Sequence, residues 1–142
     1  MADLSQTAAN VALGAATTPT LVGQYGESVT QGMPLYLNTD GKYYQCDAND
    51  GVLKAECKGI ALTPGATNGY GLVGKPSATP GRSLINLGAT LAIGTVYGVS
   101  ATKGAICPIA DITSTQFVSV IGVATTAALL DFQASVSNTA KA

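Results

Sequence analysis

A chain of 142 residues is long enough to bury a core and short enough for one domain to be expected. Charged residues make up only 11% of it, against roughly 25% in ordinary soluble domains, and the net charge is -1. So few, scattered charges argue against direct nucleic-acid binding, and a thinly charged surface points to coverage by another chain.

The chain opens MADLSQTAANVALG, which has no basic residue and so does not read as a secretory signal. No residue is charged from Leu4 to Gly26, but Gln6, Asn10, Pro19, Gln24 and several Thr spoil a membrane span. The later VSVIGVATTAALL is too short to cross a bilayer and is broken by Thr. The protein is therefore expected to be soluble, made in a cytoplasm and off the membrane. Residues 1–23 lack the turn-punctuated strands of the rest and alone would be disordered. They are expected to form an extended arm packed on a neighbour, or else a first strand of the chain's own barrel. Residues 24–142 are expected to form a single β domain.

Beyond the arm, glycine and proline recur too often for long helices. The apolar runs are short, often β-branched or aromatic, and bounded by turn residues: PLYLN, KYYQC, KGIALT, SLINLG, TVYGVS, QFVSVIGVAT and ALLDFQASV. Asp40-Gly41 suits a tight hairpin between LYLN and KYYQC, and Gly104 a second between VYGVS and ICPIA. This predicts an all-β fold, a small β-barrel or jelly-roll-like sandwich. Pro34 and Pro108 belong at strand starts or edges, because neither can donate to a ladder.

The chain also echoes itself. GESVTQGMPLYL, from Gly26, resembles GATLAIGTVYGV, from Gly88. Each is followed by a turn glycine (Gly41, Gly104), by a cysteine and then an acid (Cys46 with Asp47, Cys107 with Asp111), and by a similar closing phrase, GIALT or GVATT. The expectation is one β-module used twice, at about 26–63 and 88–126. Gly32, Gly41, Gly59, Gly94, Gly104 and Gly122 are then structural, at bends with positive φ or where no side chain fits. GATNGYGLVGKPSATPGRS, between the modules, reads as a surface loop around one short strand.

No stretch completes a catalytic or cofactor motif. Gly69 to Pro76 fits G-x-x-x-x-G-K, but a phosphate loop needs a helix starting there, and Pro76, Pro80 and Gly81 forbid one. Asp47-Ala-Asn49-Asp50-Gly51 places glycine one position early for a calcium loop and reads as an Asx turn. With no histidine there is no Ser-His or Cys-His pair, and no pair of the eight carboxylates stands out by spacing. Cys46, Cys57 and Cys107, odd in number and in strand-like runs, read as buried free thiols rather than zinc ligands. The six tyrosines read as core residues with hydroxyls at the core's edge; a sugar-binding platform is the alternative. No catalytic residue, cofactor or metal is expected.

The stretch from Val96 through Gly104 to Pro108 and Asp111 resembles a phrase common in small tailed-phage head proteins, the capsid cement or decoration family. The resemblance extends back through Gly26–Leu37 and Asp40-Gly41-Lys42, forward through Val120–Thr125, and to the opening MADLSQTAANV. It implies a β module on the outside of an icosahedral head. It implies homo-oligomers, trimers more often than dimers, bridging the major capsid protein and stabilising the shell without enzymatic activity. Polar rim contacts to the capsid are then expected from Lys42, Lys54, Lys58 and Asp111. The alternative reading is a head fibre or a host-receptor module that binds glycans through the tyrosines.

Overall fold

The computed structural model describes residues 3–142. The strands are β1 (Val11–Leu13), β2 (Thr20–Gln24), β3 (Pro34–Leu37), β4 (Tyr43–Gln45), β5 (Gly59–Ala61), β6 (Tyr70–Gly74), β7 (Leu84–Leu87), β8 (Val96–Val99), β9 (Ile106–Pro108), β10 (Phe117–Ala124) and β11 (Leu129–Ala140). One short helix, α1 (Val52–Ala55), and two 3-10 turns, Ala8–Asn10 and Ile109–Asp111, complete the regular elements. The fold is all-β. Its strands form two antiparallel sheets, one in the order β2-β6-β5-β3-β4 and the other β1-β7-β11-β10-β8-β9. Pro34 opens β3 and Pro108 closes β9, an edge strand, so neither removes a needed ladder donor.

Leaving β1 aside, the two sheets share one strand order, β2 to β6 becoming β7 to β11. Register recurs as well. Leu35 faces Gly59 across the β3–β5 ladder as Tyr97 faces Gly122 across β8–β10. Val73 lies between Leu21 and Ala61 as Leu130 lies between Ile85 and Ala124. Loop bonds match too. Gly32 N–H donates to Ala61 O as Gly94 N–H donates to Ala124 O, both at 2.8 Å. Val29 N–H reaches Gly65 O as Leu91 N–H reaches Ala127 O, again both at 2.8 Å. The recurring unit has five strands and is wider than the sequence echo, because β2 and β6 on one side and β7 and β11 on the other carry little sequence likeness. The stretch between the modules holds one short strand, β6, which pairs with β2 and β5, and most of the rest of it is connecting loop, as expected.

The five-stranded sheet curls until its ends meet. Tyr25, just after β2, forms a parallel bridge to Tyr43 of β4, and Gly26 N–H donates to Tyr43 O at 2.9 Å. In the other sheet the N-terminal segment fills the matching seam. Leu4 N–H donates to Ile106 O of β9 (2.8 Å) and Thr7 N–H to Gly88 O just past β7 (2.7 Å). Gln6 Nε2 donates to Gly32 O (3.1 Å) and Leu87 O (3.0 Å), joining the modules. Residues 11–13 then pair with β7, and residues 20–24 with β6. The segment expected to be either an arm or a first strand of the chain's own barrel thus contributes strands to both of the chain's own sheets. Its unpaired polar backbone is satisfied by those ladders.

Burial follows the strand period of two. In the five-stranded sheet Leu35, Tyr43, Ala61 and Val73 enter a small cluster with Tyr25 and Val29. Their neighbours Tyr36, Tyr44, Ile60 and Leu72 pack in the large cluster, against Ile85, Leu87, Tyr97, Val99, Ile106, Ile121, Leu130 and Phe132 of the other sheet. The middle of this sheet is therefore covered on both faces, which explains its continuous apolar runs.

Candidate functional site

The hairpin β3–β4 turns at Asp40-Gly41, where Gly41 has φ +81° and donates to Asn38 O at 3.0 Å. The tight turn sets Tyr36 opposite Tyr44, and their rings stack at 5.7 Å with 22° between planes. These rings line a cavity of about 280 Å³ with Glu27, Gln45, Asp50, Lys54 and Lys103. Tyr44 Oη donates to Asp40 Oδ2 at 2.6 Å, which holds the Asp40 carboxyl below its ordinary value and lifts the Tyr44 phenol above its own. Lys103 pairs with Glu27 (2.6 Å) and Lys54 with Asp50 (2.5 Å, one turn apart). Lys54, Asp50 and Lys103 are well exposed and Glu27 is partly buried, so the pairs order the rim more than they stabilise the fold. Glu27 also accepts the Gln45 N–H at 2.8 Å. Asp47, at the cavity wall, accepts the Asn49 N–H at 2.9 Å, the expected Asx turn, and α1 follows directly. These carboxylates are engaged in structure. The cavity offers aromatic faces and polar groups for binding.

The four expected rim residues do not converge. Lys54 lies at this cavity. Lys42, on the hairpin, reaches Asn68 Oδ1 at 2.8 Å. Lys58 pairs with Glu56 at 2.7 Å and lines a different, small cavity with Cys57 and Pro76. Asp111 sits in the 3-10 turn after β9. Among the glycines, Gly32 and Gly94 hold matching left-handed turns at φ +90° and +82°, and Gly104 turns the β8–β9 hairpin at φ +79°. Gly59 and Gly122 are places of close approach. A Cβ on Gly59 would run into Val73 Cγ1, and one on Gly122 into the Asp131 carbonyl oxygen.

Tyr25, Tyr36, Tyr43 and Tyr97 are buried, with the Tyr25 hydroxyl on Thr63 O (2.8 Å) and the Tyr97 hydroxyl accepting from Ala92 N–H (3.0 Å). Tyr70 is the exception at 68% exposed. It lies on β6 diagonal to Val22 of β2, 70% exposed, so the outer face of this pair carries apolar surface. Among the described residues, strand β2 has a ladder partner on one side and, on the other, the bridge just past its end. The sequence reading missed this edge, and also Glu27 and Lys103 at the cavity. The T-L-V-G-Q alternation was the available signal for β2; nothing local joins Glu27 to Lys103, which lie 76 positions apart. The Gly69–Pro76 stretch runs through β6, with no helix after it.

Among the described residues no group of His, Cys, Asp and Glu is arranged to hold a metal, and no helix is long and apolar enough to cross a membrane. No family model matches the chain, and neither a curated protein nor a solved structure is significantly similar to it.

Proposed function

We propose that this protein is a capsid cement protein, bound outside an icosahedral phage head and bridging major capsid subunits as a homo-oligomer. The observation that carries the reading is the β2 edge: a strand whose ladder runs to β6 alone, with Val22 and Tyr70 exposed beside it. Such an edge can accept a strand from a capsid subunit or a sister copy by β-augmentation. The resemblance of Gly26–Leu37 and Val96–Asp111 to head decoration proteins supplies the identity of that partner. A rigid module that binds only assembled subunits favours the closed shell by mass action, and an oligomer gains avidity from several modest contacts. The test strips the protein from purified particles and heats them. Stripped particles are expected to release DNA at a lower temperature, and added protein to restore them.

A second reading, a host-glycan module on the head surface, is favoured by one observation: the stacked Tyr36 and Tyr44 beside polar groups in the 280 Å³ cavity. Copy number separates the two. A cement protein is present shell-wide and in stoichiometric amounts, whereas a host-binding fibre is present in few copies. Unchanged release temperature with lost adsorption to cells would reject cement and favour the host-binding reading.

A further inference from the structure

The loop between β5 and β6 turns through Thr67-Asn68-Gly69, and Asn68 is the only asparagine of the chain followed by glycine. It is exposed and holds φ +66°, one of two non-glycine residues with positive φ among those described. Asparagine visits this left-handed region more readily than most residues. The turn sits where the five-stranded sheet closes. Asn68 N–H donates to Tyr25 O and Tyr25 N–H to Gly69 O, both at 2.8 Å, and Gln24 Nε2 donates to Asn68 O at 3.1 Å. Tyr25 in turn bridges to Tyr43. From the β3–β4 hairpin, Lys42 Nζ donates to Asn68 Oδ1 at 2.8 Å. That ammonium draws electrons from the side-chain carbonyl and stands where an oxyanion would form on attack at Cγ. The nucleophile is next in the chain, because a bond from Gly69 N to Asn68 Cγ closes a succinimide ring. With no Cβ on Gly69, its peptide unit is free to rotate into that approach. The Gly69 N–H is bonded to Ala66 O at 2.9 Å, so this bond opens first, in a turn whose residues 66–68 are all exposed.

We propose that Asn68-Gly69 is a self-modifying site, in which Gly69 N attacks Asn68 Cγ while Lys42 holds the oxyanion, and that the product loosens the barrel seam as the protein ages. Hydroxide takes the Gly69 N–H proton and becomes water. The N–Cγ bond forms, and the carbonyl electron pair moves to Oδ1, facing the Lys42 ammonium. As the carbonyl re-forms, the Cγ–Nδ2 bond breaks. Nδ2 leaves as ammonia with a proton from water, which regenerates hydroxide. The succinimide then takes up one water. Opening at Cγ gives aspartate, and opening at the main-chain carbonyl gives isoaspartate, whose main chain runs through the former side chain. One water is consumed and one ammonia released, with nothing oxidised or reduced. The aspartate product keeps the main chain and offers Lys42 a carboxylate. The isoaspartate product inserts a carbon between the two groups that bond Tyr25, so the paired bonds to Tyr25 lose their register.

The experiment holds the folded full chain for weeks in neutral and in mildly alkaline buffer, with circular dichroism to show that it stays folded. Brief digestion with trypsin at mildly acidic pH releases peptide 59–82, which contains Asn68 and no other asparagine. Amide loss confined to that peptide is expected, faster at the higher pH, with isoaspartate detected by an isoaspartyl methyltransferase. Lys42→Gln should slow the folded chain about two- to fivefold at low salt, the worth of an exposed charge contact, while Lys42→Arg keeps most of the rate. In denaturant all three chains should convert alike. Hydrogen exchange at Gln24–Gly26 should be faster in the isoaspartate form than in the unmodified protein. A folded chain intact at Asn68 over a period in which the denatured chain converts would overturn the site. Equal rates for Lys42→Gln and the native chain would overturn the role of Lys42, and unchanged exchange would overturn the loosening. A covalent bond between Lys42 and peptide 59–82 would make the lysine the nucleophile and overturn the ring closure. If Lys42→Gln misfolds, peptide mapping of the native sequence still decides the site.

Discussion

Substituting Gly122 by alanine tests the close strand packing that the matching register requires. Gly122 lies in β10 at a register shift against both β8 and β11. The new methyl would collide with the Asp131 carbonyl oxygen, a backbone atom of a central ladder, with Asp131 Cα paired on the far side to Leu84. Relief therefore means displacing β11, since no side chain can rotate away. Overpacking of a closed core costs roughly 1–3 kcal/mol, and at least one strained or lost ladder bond adds about 0.5–1.5 kcal/mol. A destabilisation of about 2–4 kcal/mol follows from those two contributions. In a chain of this size that lowers the melting temperature by about 10 °C. The equivalent Gly59→Ala is expected to cost less, about 1–3 kcal/mol, because its clash is with the Val73 side chain and backbone, the Gly74 carbonyl oxygen, comes only to 3.1 Å. Val73→Ala should then be partly compensating in the Gly59→Ala background, a coupling of about 1 kcal/mol, and should do nothing for Gly122→Ala. Urea melts of the three single variants and the two double variants measure all of this. A neutral Gly122→Ala would refute the reasoning, since it would mean that β11 is free to move away from β10.

Beginning the chain at residue 11 should remove the hydrogen bonds of Leu4, Gln6 and Thr7 and open the seam between β7 and β9. The expected result is a lower melting temperature with faster hydrogen exchange in β9, and an unchanged melt would show that the seam is closed by something else. Gln6→Ala alone strips a donor from both the Gly32 and Leu87 carbonyls and should cost about 1–2 kcal/mol by denaturant melt.

Much of the fold is legible in the chain itself. Short β-branched runs cut by Gly and Pro can only be strands, and the hairpins at Gly41 and Gly104 are local, so the residues that make them are adjacent in sequence. The paired glycines were readable for the same reason: Gly32 and Gly94 each answer to a left-handed turn that no neighbour can supply. The buried thiols, the Asx turn at Asp47 and the absence of a helix after Gly74 were likewise legible from short stretches.

What the sequence did not reveal depends on distant partners. Val11–Leu13 and Thr20–Gln24 look featureless until β7 and β6 offer them ladders, so residues 1–23 read as an arm or a first strand and not as strands of two sheets. The five-strand repeat outruns the sequence echo because register is set by backbone bonds, which tolerate Val73 in one module and Leu130 in the other. The rim lysines separated, and Lys54 joined Glu27, Lys103 and the Tyr36–Tyr44 stack, because sheet curvature decides which loops share a side. Hydrophobic alternation and turn chemistry act over a few residues and can be read along the chain. Closure of a sheet is a cooperative property of all its strands and exists only in three dimensions.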